Sequence, residues 1–258
     1  MSGLKEGLGA EAHLLRPLWR MVPQSVKRAL RGAVQRYRMR VAIWRLSRLK
    51  PGQPPAVELL TALHRAWGNE GYSANLPYLV EVARQASVAV GSILECGSGV
   101  TTILLGMMAG RRGVTVDTLE HSPEWWDRVA TVLTRHRIPG IHLHLAPIVD
   151  HVSYAWYQVP ASLPGEFRLV ICDGPPGDTK GGRYGLLPLL STRLPPGAVI
   201  LLDDATRPVE MDTRRRWRAT REMFEQLHES PDRAYSLLIL GACNQDAGYK
   251  DSLERELA

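Results

Sequence analysis

Acidic residues stand where several apolar runs of this chain stop: Glu95 after Ile93-Leu94, Glu120 after Leu119, Asp173 after Val170-Ile171-Cys172, and Asp203-Asp204 after Ile200-Leu201-Leu202. The first is followed by Cys96-Gly97-Ser98-Gly99-Val100-Thr101-Thr102. Glycine at 97 and 99 lets the backbone turn through positive φ and come close to a ligand. A helix opening at Thr101 points unpaired N–H groups at the same place. Glu95, Gly97, Ser98, Gly99 and Thr101 thus form a candidate nucleotide-type binding turn, in which a side chain at Gly97 is expected to occupy the ligand's space. Thr102 stands where the dinucleotide fingerprint requires its third glycine, which disfavours a nicotinamide dehydrogenase.

Glu120 lies 25 residues beyond Glu95. A carboxylate at the end of a second strand can accept hydrogen bonds from both hydroxyls of a ribose, and His121 is expected beside the same ligand. Asp173, Asp203 and Asp204 pose a different problem. Three carboxylates arriving together repel unless a cation, a proton or an arginine neutralises them. A hard divalent ion such as Mg2+ is the expected partner, with Asp173, Asp203 and Asp204 as oxygen ligands. The alternative has Asp204 capping the next turn and Asp203 pairing with Arg207. Asp173 and His151 are the candidate proton acceptors. His151 belongs to an aromatic loop, Asp150-His151-Val152-Ser153-Tyr154-Ala155-Trp156-Tyr157, that either roofs a substrate or packs on the sheet.

These residues need a parallel sheet to bring them together, because ligands of open α/β sheets bind beyond the carboxyl ends of the strands. The pattern supplies one. Strands are expected at Ile93–Glu95, Val114–Glu120, Ile141–Ala146, Phe167–Asp173, Ala198–Asp203 and Tyr235–Ala242. Helices are expected at Thr101–Ala109, Pro123–His136, Tyr184–Thr192 and Met211–Glu229. Continuous apolar runs such as Ala198-Val199-Ile200-Leu201-Leu202 suit strands covered on both faces. The expected fold is α/β: a Rossmann-like, doubly wound, mostly parallel sheet of six or seven strands with an N-terminal helical extension. Residues 1–50 form that extension, 51–90 a helical lead-in, 91–243 the catalytic domain and 244–258 a polar tail. The polar, glycine-bearing connection Gly68–Asn75 either reaches toward the ligand or is a simple turn between helices.

The formal charge of +6 is uneven: residues 1–50 carry +10 and the remainder −4. Val26, Leu30, Val34, Tyr37, Val41 and Trp44 recur at steps of three and four, one apolar stripe on a helix that starts after Pro23. Arginines flank the stripe. It fits a helix docked on the domain or on a dimer mate, and it fits a basic amphipathic helix lying on an anionic membrane surface. Nucleic-acid contact is a third reading. Cys96, Cys172 and Cys243 are scattered, with no metal or disulfide spacing, which suits a reducing cytoplasm. No apolar run approaches the roughly 18 residues of a membrane span. A cytoplasmic protein is expected, peripheral to a membrane if the basic helix binds one.

Acid-x-Gly-x-Gly closing a first strand resembles motif I of the class I S-adenosylmethionine-dependent methyltransferases, and Glu120 matches that family's ribose-binding acid. One Asp after strand four with an Asp-Asp pair after strand five resembles the metal-dependent small-molecule O-methyltransferases. Asp-Gly-Pro-Pro with Arg183 downstream, and Asp-Asp-Ala-Thr-Arg, resemble methyltransferase-like proteins of glycan and secondary-metabolite gene clusters. The resemblance covers residues 67–242. It implies S-adenosylmethionine as cofactor, Mg2+ as an assisting ion, and O-methylation of a hydroxyl on a sugar or other small molecule. In that family a polar residue after strand three meets the adenine amine; here Ala146-Pro147 stands there, so adenine must be held from elsewhere. A nucleic-acid methyltransferase is the first rival, weakened by Gly174 and by the absence of an aromatic residue after Pro176. A non-catalytic cofactor-binding docking module is the second.

Overall fold

The computed structural model describes residues 23–68, 74–231 and 233–243. The start of the N-terminal extension, the polar tail at 244–258 and the middle of the Gly68–Asn75 connection lie outside the described residues.

Among the described residues, three helices precede the sheet: α1 (Gln24–Ser47), α2 (Val57–Trp67) and α3 (Leu76–Val88). Pro23 precedes the first turn of α1, where a missing N–H costs nothing. Arg111 donates to the Leu46 carbonyl at 3.0 Å, satisfying the far end of α1 with a cation where the helix dipole favours one. Asn75 caps α3 by accepting from the Tyr78 N–H at 3.0 Å.

The strands are β1 (Ile93–Cys96), β2 (Val116–Glu120), β3 (Ile141–Leu145), β4 (Ile148–Asp150), β5 (Ala155–Tyr157), β6 (Leu169–Cys172), β7 (Val199–Leu202), β8 (Arg221–Glu229) and β9 (Ala234–Cys243). The helices between them are α4 (Val100–Met108), α5 (Pro123–His136), α6 (Leu186–Leu190) and α7 (Pro208–Thr220). Seven strands form one sheet in the order β3-β2-β1-β6-β7-β9-β8. β1 pairs in parallel with both β2 and β6, and β7 with β6. β9 is antiparallel to β7 and to β8. The sheet is therefore the mostly parallel, Rossmann-like one that the apolar runs imply, flanked by helices.

β1, β2 and β6 are buried along their whole length. One face of the sheet packs on α2, α3 and α4 through residues such as Leu60, Leu63, Val82 and Ile103. The other carries Trp156, Phe167, Leu186, Leu190 and Trp217. The strand order changes direction at β1, between β2 and β6. That opens a crevice at the carboxyl ends, over the glycine turn.

Two expectations need correction. The helix expected over Met211–Glu229 ends at Thr220, and Arg221–Glu229 is strand β8. Trp217, Phe224 and Leu227 have helical spacing, but β9 has an edge that β7 leaves unpaired, and β8 takes it. Arg221 turns extended (φ −152°, ψ 139°) and its buried guanidinium donates to the Gly241 carbonyl at 3.1 Å. His228 stacks on Tyr235 of β9 at 4.7 Å. Such pairing between distant segments overrides a local period. The second correction concerns the aromatic loop, which is a hairpin: β4 and β5 pair antiparallel and send Trp156 and Tyr157 into the core.

Candidate active site

The crevice is a cleft of about 650 Å³, within the range of small-ligand sites. Gly97, Ser98, Gly99 and Thr101 line it, as do Glu120, His121, Asp173 and Asp204. Gly97 has φ +88°, and a Cβ there would meet the Gly174 nitrogen at 3.1 Å. Its side-chain space is thus closed by the turn after β6, so the glycine serves the approach of two chain segments; the expectation that a side chain there would take the ligand's space is corrected. Gly99 is the converse. Its backbone is extended, and a Cβ would meet nothing within 4 Å.

Glu95 does not line the cleft; it lies beneath the turn, fully buried. Its Oε2 accepts from Thr102 Oγ1 at 2.7 Å and Thr118 Oγ1 at 2.8 Å, and Thr102 Oγ1 accepts the Gly99 N–H at 2.9 Å. The acid thus organises the loop from behind. Burial lifts its carboxyl from 4.5 to about 7, against the hydroxyls of Thr101, Thr102 and Thr118, which favour the ionised form. A carboxyl raised on folding contributes most stability below its unfolded value and loses that contribution as pH rises through the folded one. Relative to Glu95→Gln, the native protein should lose about 3 kcal/mol between pH 4.5 and the folded value of about 7. Denaturant unfolding of both proteins across that range checks this, and parallel pH profiles would contradict it.

Glu120 behaves oppositely. Although it is buried, its carboxyl is held below the ordinary value by His121, Ser122 and Ser98. Oε2 accepts from the Ser98 N–H at 3.0 Å and Ser98 Oγ at 2.7 Å; Oε1 accepts from the Ser122 N–H at 2.8 Å and lies 3.1 Å from His121 Nδ1. Its acceptor sites are filled. Of these donors, only the Ser98 hydroxyl and the His121 ring can rotate away to admit a ligand's hydroxyls.

Trp67, Ala74, Trp125 and Tyr157 complete the wall near Glu120. Trp125 packs edge-on to Trp67, with ring centroids 5.6 Å apart, and the Arg128 guanidinium lies 4.5 Å from the Trp67 ring centroid. These aromatics escape a sequence reading because helical Trp residues look like core; the only local signal is Trp125-Trp126 directly after the Ser122 cap.

Asp173, Asp203 and Asp204 converge as expected, with ligand atoms all within 4.8 Å of one another. An arginine reaches them first. Arg183 is 1% exposed, and its Nη2 lies 3.3 Å from Asp173 Oδ1 and 3.2 Å from Asp204 Oδ2. Nη2 also donates to the Asp173 carbonyl at 2.7 Å, and Nη1 donates to the Asp203 carbonyl. Arg207 pairs with Asp204 at 2.9 Å and not with Asp203; Arg233 lies 3.8 Å from the other Asp204 oxygen. A fourth carboxyl that sequence reading missed, Glu210, is fully buried 3.9 Å from Arg183 Nε. Gly182, at φ +54°, makes room for it, since a Cβ there would meet Glu210 Oε1 at 2.9 Å. Four carboxyls thus face three guanidiniums. Burial, and the neighbouring Asp203 and Asp204, push the Asp173 carboxyl well above the carboxylate range against the pull of Arg183; burial and Asp204 raise Asp203. A Mg2+ ion joining Asp173 to Asp204 would have to displace Arg183, so the residues as they stand do not fit the expected metal.

His151 is not brought to the cleft. It sits in the turn of the β4–β5 hairpin, its ring stacked on Tyr154 at 5.0 Å, because the pairing that buries Trp156 and Tyr157 leaves the turn outside. His121, by contrast, lines the cleft as expected.

Residues 94–205 match the family model described as "Methyltransferase domain". The matched segment contains the glycine turn, Glu120 and the Asp173–Asp204 cluster. No curated protein matches the chain in sequence. Among solved structures, it is similar to an SAH-bound methyltransferase of Podospora anserina, PaMTH1, at 15% identity and a TM-score of 0.54, over 86% of this chain and 99% of that one. It is also similar to an O-methyltransferase from Bacillus cereus in complex with SAH, at 15% identity and a TM-score of 0.51, over 81% of this chain and 97% of that one. A SAM-dependent O-methyltransferase from Thermotoga maritima is similar at 12% identity and a TM-score of 0.50, over 74% of this chain and 73% of that one. At these identities the likeness concerns the fold.

Proposed function

We propose that this methyltransferase domain transfers the methyl group of S-adenosylmethionine to a hydroxyl of a small molecule or glycan. The observation that carries the reading is Asp173. Of the three clustered aspartates it is the most exposed, its side chain 23% open against 5% for Asp204, and it lines the cleft beside the glycine turn. A proton acceptor works best when its pKa lies near the working pH, and an elevated carboxyl meets that need better than an ordinary one.

The bound sulfonium supplies an electrophilic methyl group. The chain's share is to bind, align and deprotonate. Glu120 receives the ribose hydroxyls as Ser98 Oγ and His121 turn aside, Gly99 leaves room for the close approach, and Trp67 and Trp125 offer an apolar wall to the base. The acceptor oxygen must stand roughly 3–3.5 Å from the methyl carbon, in line with the leaving sulfur. As the new O–C bond forms and the S–C bond breaks, the hydroxyl proton passes to the Asp173 carboxylate. Arg183, Arg207 and Arg233 supply positive charge beside the aspartates, the part that Mg2+ would otherwise play.

Calorimetry with S-adenosylmethionine and its demethylated product tests the reading. The native protein is expected to bind both, and Gly99→Val to bind neither while melting normally, since its Cβ enters open space. A folded native protein that binds neither ligand would sink the assignment. In a screen of hydroxyl acceptors, turnover should proceed undiminished in chelator; activity lost there and restored by Mg2+ would return the aspartates to metal ligation.

A further inference from the structure

α1 carries apolar residues on opposite faces. Met39, Ala42, Ile43 and Leu46 are buried in the core shared with α2. The stripe that the sequence singled out points away from it: Val26, Leu30 and Val34 are nearly half exposed, Trp44 is 56% exposed and Tyr37 69%. From Val26 to Trp44 this stripe runs about 27 Å along the helix. Among the described residues, then, no part of the chain's own domain covers this face, against one of the readings left open by the sequence.

Charge indicates what covers it. Residues 24–47 hold seven Lys or Arg and no acidic residue. Beside the stripe, a groove of about 470 Å³ between α1 and α2 is lined by Arg38, Arg45 and Arg65, with Tyr37 and Val41 on its apolar side. None of these three arginines has an acidic partner among the described residues. A second copy of the chain would meet the stripe with the same stripe, bringing two acid-free basic faces together. A nucleic acid would satisfy the arginines but leave the apolar residues against water and phosphate. A surface of anionic phospholipid satisfies both: the apolar residues enter the boundary of the acyl chains, the arginines extend to the headgroups, and the groove receives a phosphate. No helix among the described residues is long and apolar enough to cross a membrane, so attachment would be to the surface.

We propose that α1 is an interfacial helix that docks this protein on an anionic phospholipid bilayer, with a headgroup phosphate in the groove of Arg38, Arg45 and Arg65. The test is sedimentation of the full chain with phosphatidylcholine vesicles made with or without phosphatidylglycerol. The native protein should sediment with the anionic vesicles alone, less so as salt rises. Arg38→Glu/Arg45→Glu/Arg65→Glu and Tyr37→Ser/Trp44→Ser should each reduce partitioning by about tenfold or more, since one cation near such a surface contributes about 1 kcal/mol. Both variants change exposed side chains, and unchanged melting shows that a loss is not unfolding. Equal binding to neutral and anionic vesicles overturns the proposal, as does undiminished binding by both variants. A dimer in sedimentation velocity that Tyr37→Ser/Trp44→Ser dissociates, without vesicle binding, would instead assign the face to a second copy and overturn it.

Discussion

Asp173→Asn is expected to lower kcat by about 10²–10⁴-fold while leaving the affinity for S-adenosylmethionine nearly unchanged, the range by which a positioned proton acceptor accelerates a reaction. Asparagine keeps an oxygen to accept from Arg183 Nη2, now 3.3 Å from Asp173 Oδ1, but it cannot take a proton. The exchange also removes a carboxyl from a cluster in which four face three guanidiniums, so the variant should be at least as stable as the native chain near neutral pH. Burial and the neighbouring aspartates hold the native carboxyl above the ordinary range. kcat/KM should therefore fall as pH is lowered through that raised value, beginning at a higher pH than an ordinary carboxylate would give. Single-turnover rates, calorimetry and a pH profile on the two proteins separate these effects. Undiminished turnover by the variant would remove Asp173 from the chemistry.

The largest loss of stability is expected from Arg183→Met. Its guanidinium is enclosed by Asp173, Asp204 and Glu210 and bonded to the carbonyls of Asp173 and Asp203, so it joins the ends of β6 and β7 as well as their charges. Methionine approximates the stem and leaves the carboxyls unpaired. Removing one member of a buried ion pair costs about 3–5 kcal/mol. The loss should shrink as pH falls, because the carboxyls, raised further without Arg183, take up protons. Adding Asp173→Asn to Arg183→Met should recover about 0.5–3 kcal/mol, the coupling expected for groups in contact. Denaturant unfolding of the two single variants and the double variant at neutral and acidic pH measures all of this. A cost under about 1 kcal/mol for Arg183→Met, within the range of an exposed pair, would mean that the cluster is held in some other way.

The strand-end acids were legible because a parallel strand buried on both faces writes an unbroken apolar run, and the first polar residue after it marks the crevice. Gly97, Ser98, Gly99, Glu120 and Asp173 could be assigned to one cleft from that alone, and so could the order of strands and helices up to Pro208 apart from the β4–β5 hairpin. Arg183 was visible only as part of a phrase, since nothing in the spacing says that a side chain ten residues beyond Asp173 folds back beneath it. Glu210 gave no signal, because a helical Glu looks solvated, and Trp125 gave only the Trp-Trp pair after a helix cap, because a helical Trp looks like core.

What this sequence determined by itself is the periodic and the local: apolar runs that become β1, β2, β6 and β7, glycines that permit a turn, a helical stripe on α1. Tertiary structure decided everything that depends on which distant segments meet. It drew Arg221–Glu229 onto the free edge of β9 against their helical spacing. It turned Glu95 from a ligand contact into a brace under the turn, and left His151 at a hairpin tip. It set Arg183 in the place expected for a metal, and turned the α1 stripe away from the core. The physical reason is the same in each case: a residue's type and spacing fix what it can offer, while burial, charge balance and pairing with remote neighbours decide where it is used.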